Sequence, residues 1–312
     1  MKPEIILIQP MMPAVEAALD AAYTVHRLSA APDRDRLVAE VGARVRAVVT
    51  GGATGVGNAV IDACPNLGII AINGIGTDAV DLEHARARGV RVTTTPDVLT
   101  DDVADMAMGL MLAVSRRLAV GDRFVRAGKW PTGKLPLART VSGKRLGILG
   151  LGRIGRAVAR RAAAFGMSIA YVNRTACADV PYRCMDSLME LARESDILVV
   201  AASAGPDTRN IVGRAVLDAL GPDGILINVA RGSVVDEPEL VTALTEGRLG
   251  GAGLDVFADE PRVPEALFAL DSVVLEPHQA SATVETRAAM GDLVLANLRA
   301  FFAGQPLPTP VV

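Results

Sequence analysis

Short runs of branched apolar residues recur along the whole chain, and segments with helical spacing lie between many of them. The runs Ile5–Gln9, Ala47–Thr50, Ile69–Asn73, Val90–Thr94, Arg145–Leu149, Ile169–Asn173, Ile197–Ala201, Ile225–Val229, Gly253–Val256 and Val273–Glu276 read as strands. Most are bounded by Gly, Pro, Asn or Asp, residues that turn the backbone or end a ladder. Tyr23-Thr24-Val25-His26 adds an early strand-like stretch. Strands alternating with helices indicate βαβ units, so the pattern predicts an α/β fold with parallel sheets.

Two helical segments divide the chain. One begins near Thr100, a residue suited to cap a helix, with Asp101 and Asp102 in the opening turn where the helix dipole favours negative charge. Met106, Leu110, Ala113 and Val114 mark its apolar face. The other runs from Val284 to Phe302, with Ala288, Gly291, Leu295, Leu298 and Phe302 at helical spacing. Together they bracket a continuous αβ block. Two Rossmann-like domains are therefore expected: residues 99–281 in one, and a discontinuous, flavodoxin-like second one from residues 1–98 and 282–312.

Composition narrows the class. One Trp, three Tyr and six Phe leave the core to small branched side chains, which suit a buried parallel sheet flanked by Ala-rich helices. Basic and acidic residues number 32 and 35, and the net charge of −3 argues against a nucleic-acid partner. The longest apolar stretch, Val103 to Val114, contains Asp105 and is too short to span a bilayer, so no membrane association is expected. Met1-Lys2-Pro3-Glu4 runs directly into the first strand and leaves no room for a signal peptide. Cys64, Cys177 and Cys184 form no CxxC pair and read as reduced thiols of a cytoplasmic protein. No His, Cys and carboxylate cluster has metal-ligand spacing.

The sharpest local signal is Leu146-Gly147-Ile148-Leu149-Gly150-Leu151-Gly152-Arg153-Ile154-Gly155, a strand entering G-x-G-x-x-G before an Ala/Arg-rich helix. Gly150 permits the tight turn, Gly152 lets a pyrophosphate approach the backbone, and Gly155 lets the helix pack against the strand. Arg153 and Ile154 open that helix beside the same anion. The block around the turn is thus expected to bind a dinucleotide. The next strand ends at Asn173, with Arg174 and Thr175 after it, where an NAD-preferring fold usually carries a carboxylate for the adenine ribose. Asn173 lacks the charge that would repel a 2′-phosphate, Arg174 offers a guanidinium and Thr175 a hydroxyl. NADPH is expected to be preferred, with NADH the weaker cofactor.

Of three histidines, His26 and His84 suit structural or surface positions. His278 follows a strand in Glu276-Pro277-His278-Gln279-Ala280, and strand ends are where open α/β sheets place ligands. Arg231 follows Ile227-Asn228-Val229-Ala230, and Glu260 closes Asp255-Val256-Phe257-Ala258-Asp259-Glu260 after another strand. The three form a coherent set: a cation for a carboxylate, a proton donor, and an acid that favours the donor's charged form.

These segments, in this order, resemble the D-isomer-specific 2-hydroxyacid dehydrogenase family over nearly the whole chain. The resemblance rests on Gly150 to Gly155, on Asn228 to Gly232 with Val235-Asp236-Glu237, on Gly253 to Phe257 with Glu260-Pro261, and on Pro277-His278. It is strongest to the NADPH-dependent glyoxylate/hydroxypyruvate and hydroxyphenylpyruvate reductases. The resemblance implies that Arg231 binds the substrate carboxylate and keto oxygen, that His278 is the acid/base paired with Glu260, and that Asp255 lies near the nicotinamide carboxamide. Val229, Ala230 and Thr100 would line the cofactor path. Gly51, Gly52 and Ala53, with Gly74, Ile75 and Gly76, look like the family's substrate loops, which makes residues 1–98 and 282–312 the substrate domain. Trp130 falls on the family's dimerisation arm, which implies a homodimer in which this side chain reaches a neighbouring site or packs at the interface. Domain closure would hinge near Asp97–Thr100 and Ala280–Thr283. Ala280 and Ala204-Gly205-Pro206-Asp207-Thr208 depart from the common pattern, the second near the adenosine.

The expected activity is reduction of a small 2-keto acid by hydride transfer. Two alternatives stay open: a dinucleotide-sensing protein like the family's corepressors, and an NADH-dependent dehydrogenase of another acid, such as an aryl lactate.

Overall fold

The computed structural model describes residues 2–312. The chain divides into two compact units. One ends at Leu99 and takes up the chain again over Ala282–Val312; the other is Thr100–Ser281.

In the first unit, β1 (Glu4–Leu7), β2 (Thr24–Arg27), β3 (Val45–Gly51), β4 (Ile69–Asn73) and β5 (Arg91–Thr93) form one sheet in the order β2-β1-β3-β4-β5. Every pairing is parallel. The crossovers carry α1 (Pro13–Ala22), α2 (Arg34–Val41), α3 (Asn58–Ala63) and α4 (Leu82–Ala87). The strands are apolar at consecutive positions because both faces are covered. Ile5, Leu7, Ala47 and Val49 meet α1 and the C-terminal helix on one face, while Ile6, Val48, Ile70 and Ile72 meet α2 and α3 on the other. Asp33 and Asp81 cap α2 and α4, accepting from the Arg36 and His84 amides, 2.9 Å in each case. The chain's last residues lie along β5: Val311 N–H donates to Val92 O at 2.7 Å and Val92 N–H to Val312 O at 3.2 Å. Asn297 secures this segment through both atoms of its amide, which bond Thr309.

The second unit contains α5 (Thr100–Ser115), α6 (Leu118–Arg126), β6 (Arg145–Leu149), α7 (Arg153–Ala164), β7 (Ser168–Val172), β8 (Arg183–Cys184), α8 (Leu188–Arg193), β9 (Ile197–Val200), α9 (Arg214–Leu220), β10 (Ile225–Asn228), α10 (Glu237–Thr245), β11 (Gly251–Leu254) and β12 (Val273–Leu275). The strands lie β12-β11-β10-β9-β6-β7-β8, all parallel. Strand order reverses between β6 and β9, the kind of crevice where doubly wound sheets bind ligands at the carboxyl ends of strands. The final helix, α11 (Val284–Phe302), belongs to the first unit and packs on β4 and α1.

Beyond shifts of one or two residues at strand ends, three expectations change in ways that bear on packing. The strand expected at Gly253–Val256 begins two residues earlier and ends at Leu254, so Asp255 stands on the loop. Its glycines are required rather than merely tolerated: a Cβ on Gly253 would lie 2.9 Å from both Ile227 and Leu110, and one on Gly251 2.9 Å from Val114. In α5, Met106 and Ala113 are only partly buried, and Val103, Ala104, Ala107 and Met111 join Leu110 and Val114 inside. This helix lies between α7 and strands β10 and β11, so it buries a wider face than one stripe. In α11, likewise, Met290, Val294 and Asn297 are buried where Ala288 and Phe302 are partly exposed.

Asp196, just ahead of β9, accepts the Arg145 amide and the Arg145 guanidinium, both at 2.8 Å, and so ties β9 to the start of β6. The hydrogen-bonded Arg145 guanidinium holds its carboxyl below the usual aspartate range. A depressed folded-state value gives stability that is present above the unfolded value and lost as pH falls through the folded one. Asp196→Asn is expected to cost about 1 kcal/mol at neutral pH, a modest figure because Arg145 is half exposed. Urea midpoints from pH 7 downward check the sign: the gap to the parent must narrow in acid.

Candidate active site

The glycine turn leaves β6 with Gly150 at φ 95°, where a side chain is strained; a Cβ there would also lie 2.6 Å from the Ala202 backbone. Gly155 sits so close beneath the turn that a Cβ would come within 2.1 Å of Gly150 O. Gly152 is the N-cap of α7 and supplies no side-chain cap, and nothing lies within 4 Å of its missing Cβ. The first amides of the helix, from Arg153 and Ile154 onward, therefore face open space that an anion can enter. These residues fit a dinucleotide pyrophosphate.

Asn173 stands one residue past β7. Its Oδ1 accepts the Leu151 amide at 2.7 Å and its Nδ2 contacts Cys177 Sγ at 3.2 Å. The side chain thus fixes the glycine turn from the neighbouring strand, a part that its reading as an uncharged ribose neighbour did not reveal. Arg174 and Thr175 are exposed, and Arg174 makes no ion pair within the described chain.

At the other side of the switch point, β10 delivers Asn228, buried, whose Nδ2 donates to Arg231 O at 3.0 Å and whose Oδ1 accepts the Ala230 amide at 3.1 Å. This clamp shapes the loop through Val229 and Ala230 and sets the backbone of Arg231. Beyond β11, Glu260 folds back so that Oε1 accepts the Phe257 amide at 3.1 Å and Oε2 lies 2.7 Å from His278 Nδ1. Burial works against the charge on Glu260. The His278 ring, the Phe257 amide and the nearby Arg231 guanidinium outweigh it and hold the carboxyl below the usual glutamate range. An ionised carboxylate only accepts, so His278 carries hydrogen on Nδ1 and presents Nε2 outward.

His278 itself has φ 55°, in the left-handed region that non-glycine residues rarely occupy. Its N–H donates to Asp255 O at 2.8 Å and Glu276 O at 3.0 Å. The next two amides, of Gln279 and Ala280, donate to the two carboxylate oxygens of Asp255 at 2.7 and 3.1 Å. Burial pushes the Asp255 carboxyl above its ordinary value, and these amide bonds pull against that push. Asp255 thereby acts as a positioning residue for the His278 loop. That role was hidden in the sequence, though an acid directly after a glycine-rich buried strand was its only available signal.

A sequence profile described as D-isomer specific 2-hydroxyacid dehydrogenase, NAD binding domain, matches residues 108–280. Hydroxyphenylpyruvate reductase of Plectranthus scutellarioides is 52% identical over 99% of this chain and 98% of its own length. The chain belongs to the D-isomer-specific 2-hydroxyacid dehydrogenase family. This dehydrogenase is accordingly a nicotinamide-dependent oxidoreductase acting between 2-keto and 2-hydroxy acids. It is also 46% identical to the 2-ketogluconate reductase of Gluconobacter oxydans, over 100% of this chain and 99% of that one. Among solved structures, the NADPH-dependent glyoxylate/hydroxypyruvate reductase of Sinorhizobium meliloti, in complex with NADP and malonate, superposes with a TM-score of 0.93. It is 42% identical, covering 100% of this chain and 97% of that one.

The remaining candidates of the dehydrogenase are placed as follows. Thr100 is the first residue of α5 rather than a flanking cap, and is partly buried. In the first unit, the loops after β3 and β4 lie side by side: a Cβ on Gly74 would be 3.2 Å from Gly52 N. Gly51 closes β3, Ala53 is exposed, Ile75 is 42% exposed, and Gly76 completes the second loop. Trp130 lies on the surface beyond α6, 70% exposed. Among the described residues no helix is long and apolar enough to cross a membrane.

Proposed function

We propose that this enzyme reduces short 2-keto acids of the glyoxylate and hydroxypyruvate type, with NADPH preferred and His278 as general acid. The observation that carries this reading is the His278–Glu260 pair, with Arg231 acting on the same carboxylate, at the carboxyl end of the sheet that bears the glycine turn. Gly150, Gly152 and Gly155 would hold the pyrophosphate of a reduced nicotinamide dinucleotide, which would supply the hydride for C2 of the keto acid. Arg231 orients the substrate and stabilises negative charge growing on oxygen. His278 holds a proton at Nε2 and delivers it to that oxygen, while Glu260 keeps the ring aligned and balances its charge. Asp255 keeps the loop in place. We assign the substrate carboxylate to the amides of Gly51, Gly52, Ala53, Gly74, Ile75 and Gly76. We assign the exposed Trp130 segment to a homodimer contact, as the resemblance implies.

Arg174 and Thr175 support the NADPH preference, since both are exposed and Arg174 has no competing carboxylate partner. Removing one charge-assisted bond costs about 1.5–3 kcal/mol, so Arg174→Ala should weaken NADPH binding by about ten- to a hundredfold and leave NADH binding unchanged. Fluorescence titration of both cofactors on both proteins reads this directly. Equal losses for the two would remove the 2′-phosphate assignment.

Initial rates with glyoxylate, hydroxypyruvate and hydroxyphenylpyruvate, each with NADPH and NADH, test the activity. The likeness to a 2-ketogluconate reductase favours a sugar acid as the second reading and adds 2-ketogluconate to the panel. Absence of oxidation with every acid would sink the proposal and leave a dinucleotide-binding role.

A further inference from the structure

The Thr100–Ser281 unit contains a cavity of about 140 Å3 at the opposite end of its sheet from His278. Its floor is the start of β10 at Ile225, with Gly250 ahead of β11 and Ser272 ahead of β12. The same three strands carry Arg231, Asp255 with Glu260, and His278 at their far ends. Three or four strand residues span roughly 10–13 Å, which separates the two places. Gly250 brings bare backbone to the space. Its roof is the end of α5 and the segment Leu137-Ala138-Arg139, joined where the Arg139 amide donates to Ser115 O at 2.9 Å.

Two polar atoms at this cavity lack partners. Ser115 is 4% exposed, lines the cavity, and its Oγ bonds nothing; Arg117 lines it too, and its buried Nε bonds nothing. A buried donor left unpaired is costly, so a group that accepts from both would relieve the cost. Charge points the same way. Arg139 Nη2 donates to the Asp223 carboxylate and its Nη1 to the Asp223 backbone carbonyl, while Asp271 accepts from Arg123 at 2.7 Å with Arg117 4.0 Å away. Arg123 lies outside the lining and takes Asp271 at close range, so Arg117 keeps only a distant share of that carboxylate and is the lining cation best placed to meet an anion. The volume far exceeds the ~10–15 Å3 that one water needs and approaches the ~150 Å3 at which a cavity admits a benzene-sized molecule.

We propose that this cavity is a second ligand site, taking a small oxyanion whose oxygens accept from Ser115 Oγ and Arg117 Nε. The ligand is inorganic phosphate or a short carboxylate. The site goes beyond the reductase activity and does not depend on it.

The test is thermal melting of the full chain in rising sodium phosphate or sodium acetate, at ionic strength fixed with sodium chloride and with dinucleotide saturating. Either anion should raise the melting temperature above the chloride baseline, and the more effective one identifies the source. Arg117→Gln should raise the half-saturating concentration by about tenfold or more and Ser115→Ala by roughly fivefold, with kcat/KM for the keto acid unchanged in both. Ser115→Ala decides alone if Arg117→Gln fails to match the parent's melting in chloride. An equal anion effect in parent and Ser115→Ala overturns the proposal. So does no anion effect at all, including the case in which melting depends on protein concentration and a second copy covers the cavity.

Discussion

His278→Ala is expected to lose about 10²–10⁴-fold in turnover while the affinity for dinucleotide stays near that of the parent. The separation follows from the fold. The imidazole hangs from the loop after β12, held by Glu260 and by the backbone of Asp255 and Glu276, whereas the pyrophosphate turn lies between β6 and α7. No hydrogen bond of the described chain joins the His278 side chain to residues 150–155. Removing the ring therefore takes away the proton donor and leaves the anion cradle whole. Stopped-flow or steady-state turnover beside a cofactor titration reads both quantities. Retained turnover in the variant would end the assignment of His278 as acid.

The second large effect is structural. Gly232→Ala is expected to cost about 3 kcal/mol, enough to change the ratio of folded to unfolded chain by more than about a hundredfold. A Cβ at this position would lie 1.9 Å from Phe257 C and 2.1 Å from its carbonyl oxygen. Both obstacles are backbone, so neither can swing aside. The displaced segment includes the Phe257 amide that bonds Glu260, and Gly232 itself follows Arg231, so turnover should fall with stability. Gly152→Ala provides the contrast, because nothing lies within 4 Å of its Cβ position. It should melt close to the parent and bind dinucleotide poorly. A Gly232→Ala protein with the parent's urea midpoint would show that the two loops do not meet as described.

Much of this was legible in the residues. Two-sided burial makes Ile69–Ile72 and Leu146–Leu149 continuous apolar runs, and the strands that hold them occupy the bounds their sequence predicts. The glycine turn carries its own context, a strand before and a helix after. What stayed hidden depends on contacts between distant segments. The start of β11 reads as loop because glycine is a poor strand former, and it takes the approach of the Ser272 carbonyl and Val114 to explain why glycine stands at 251. The two-residue strand Arg183–Cys184 is polar and exposed, and no periodicity can mark it. Asn173 shows its carboxamide's bond to the glycine turn only once β7 lies beside β6. The Asp255 carboxylate could be read as a cofactor neighbour, but its bonds to Gln279 and Ala280 cross 24 and 25 positions of chain. Nor does the residue type at 278 announce a left-handed backbone, since it is the surrounding bonds that impose it.

Residues Thr309 to Val312 lie against β5, the outermost strand of the first sheet, and occupy the amide and carbonyl of Val92. An uncovered edge of this kind invites strands from other molecules. Replacing Thr309–Val312 by a flexible Gly/Ser run would strip that cover and favour intermolecular cross-pairing of β5, so the variant should aggregate where the parent stays dispersed.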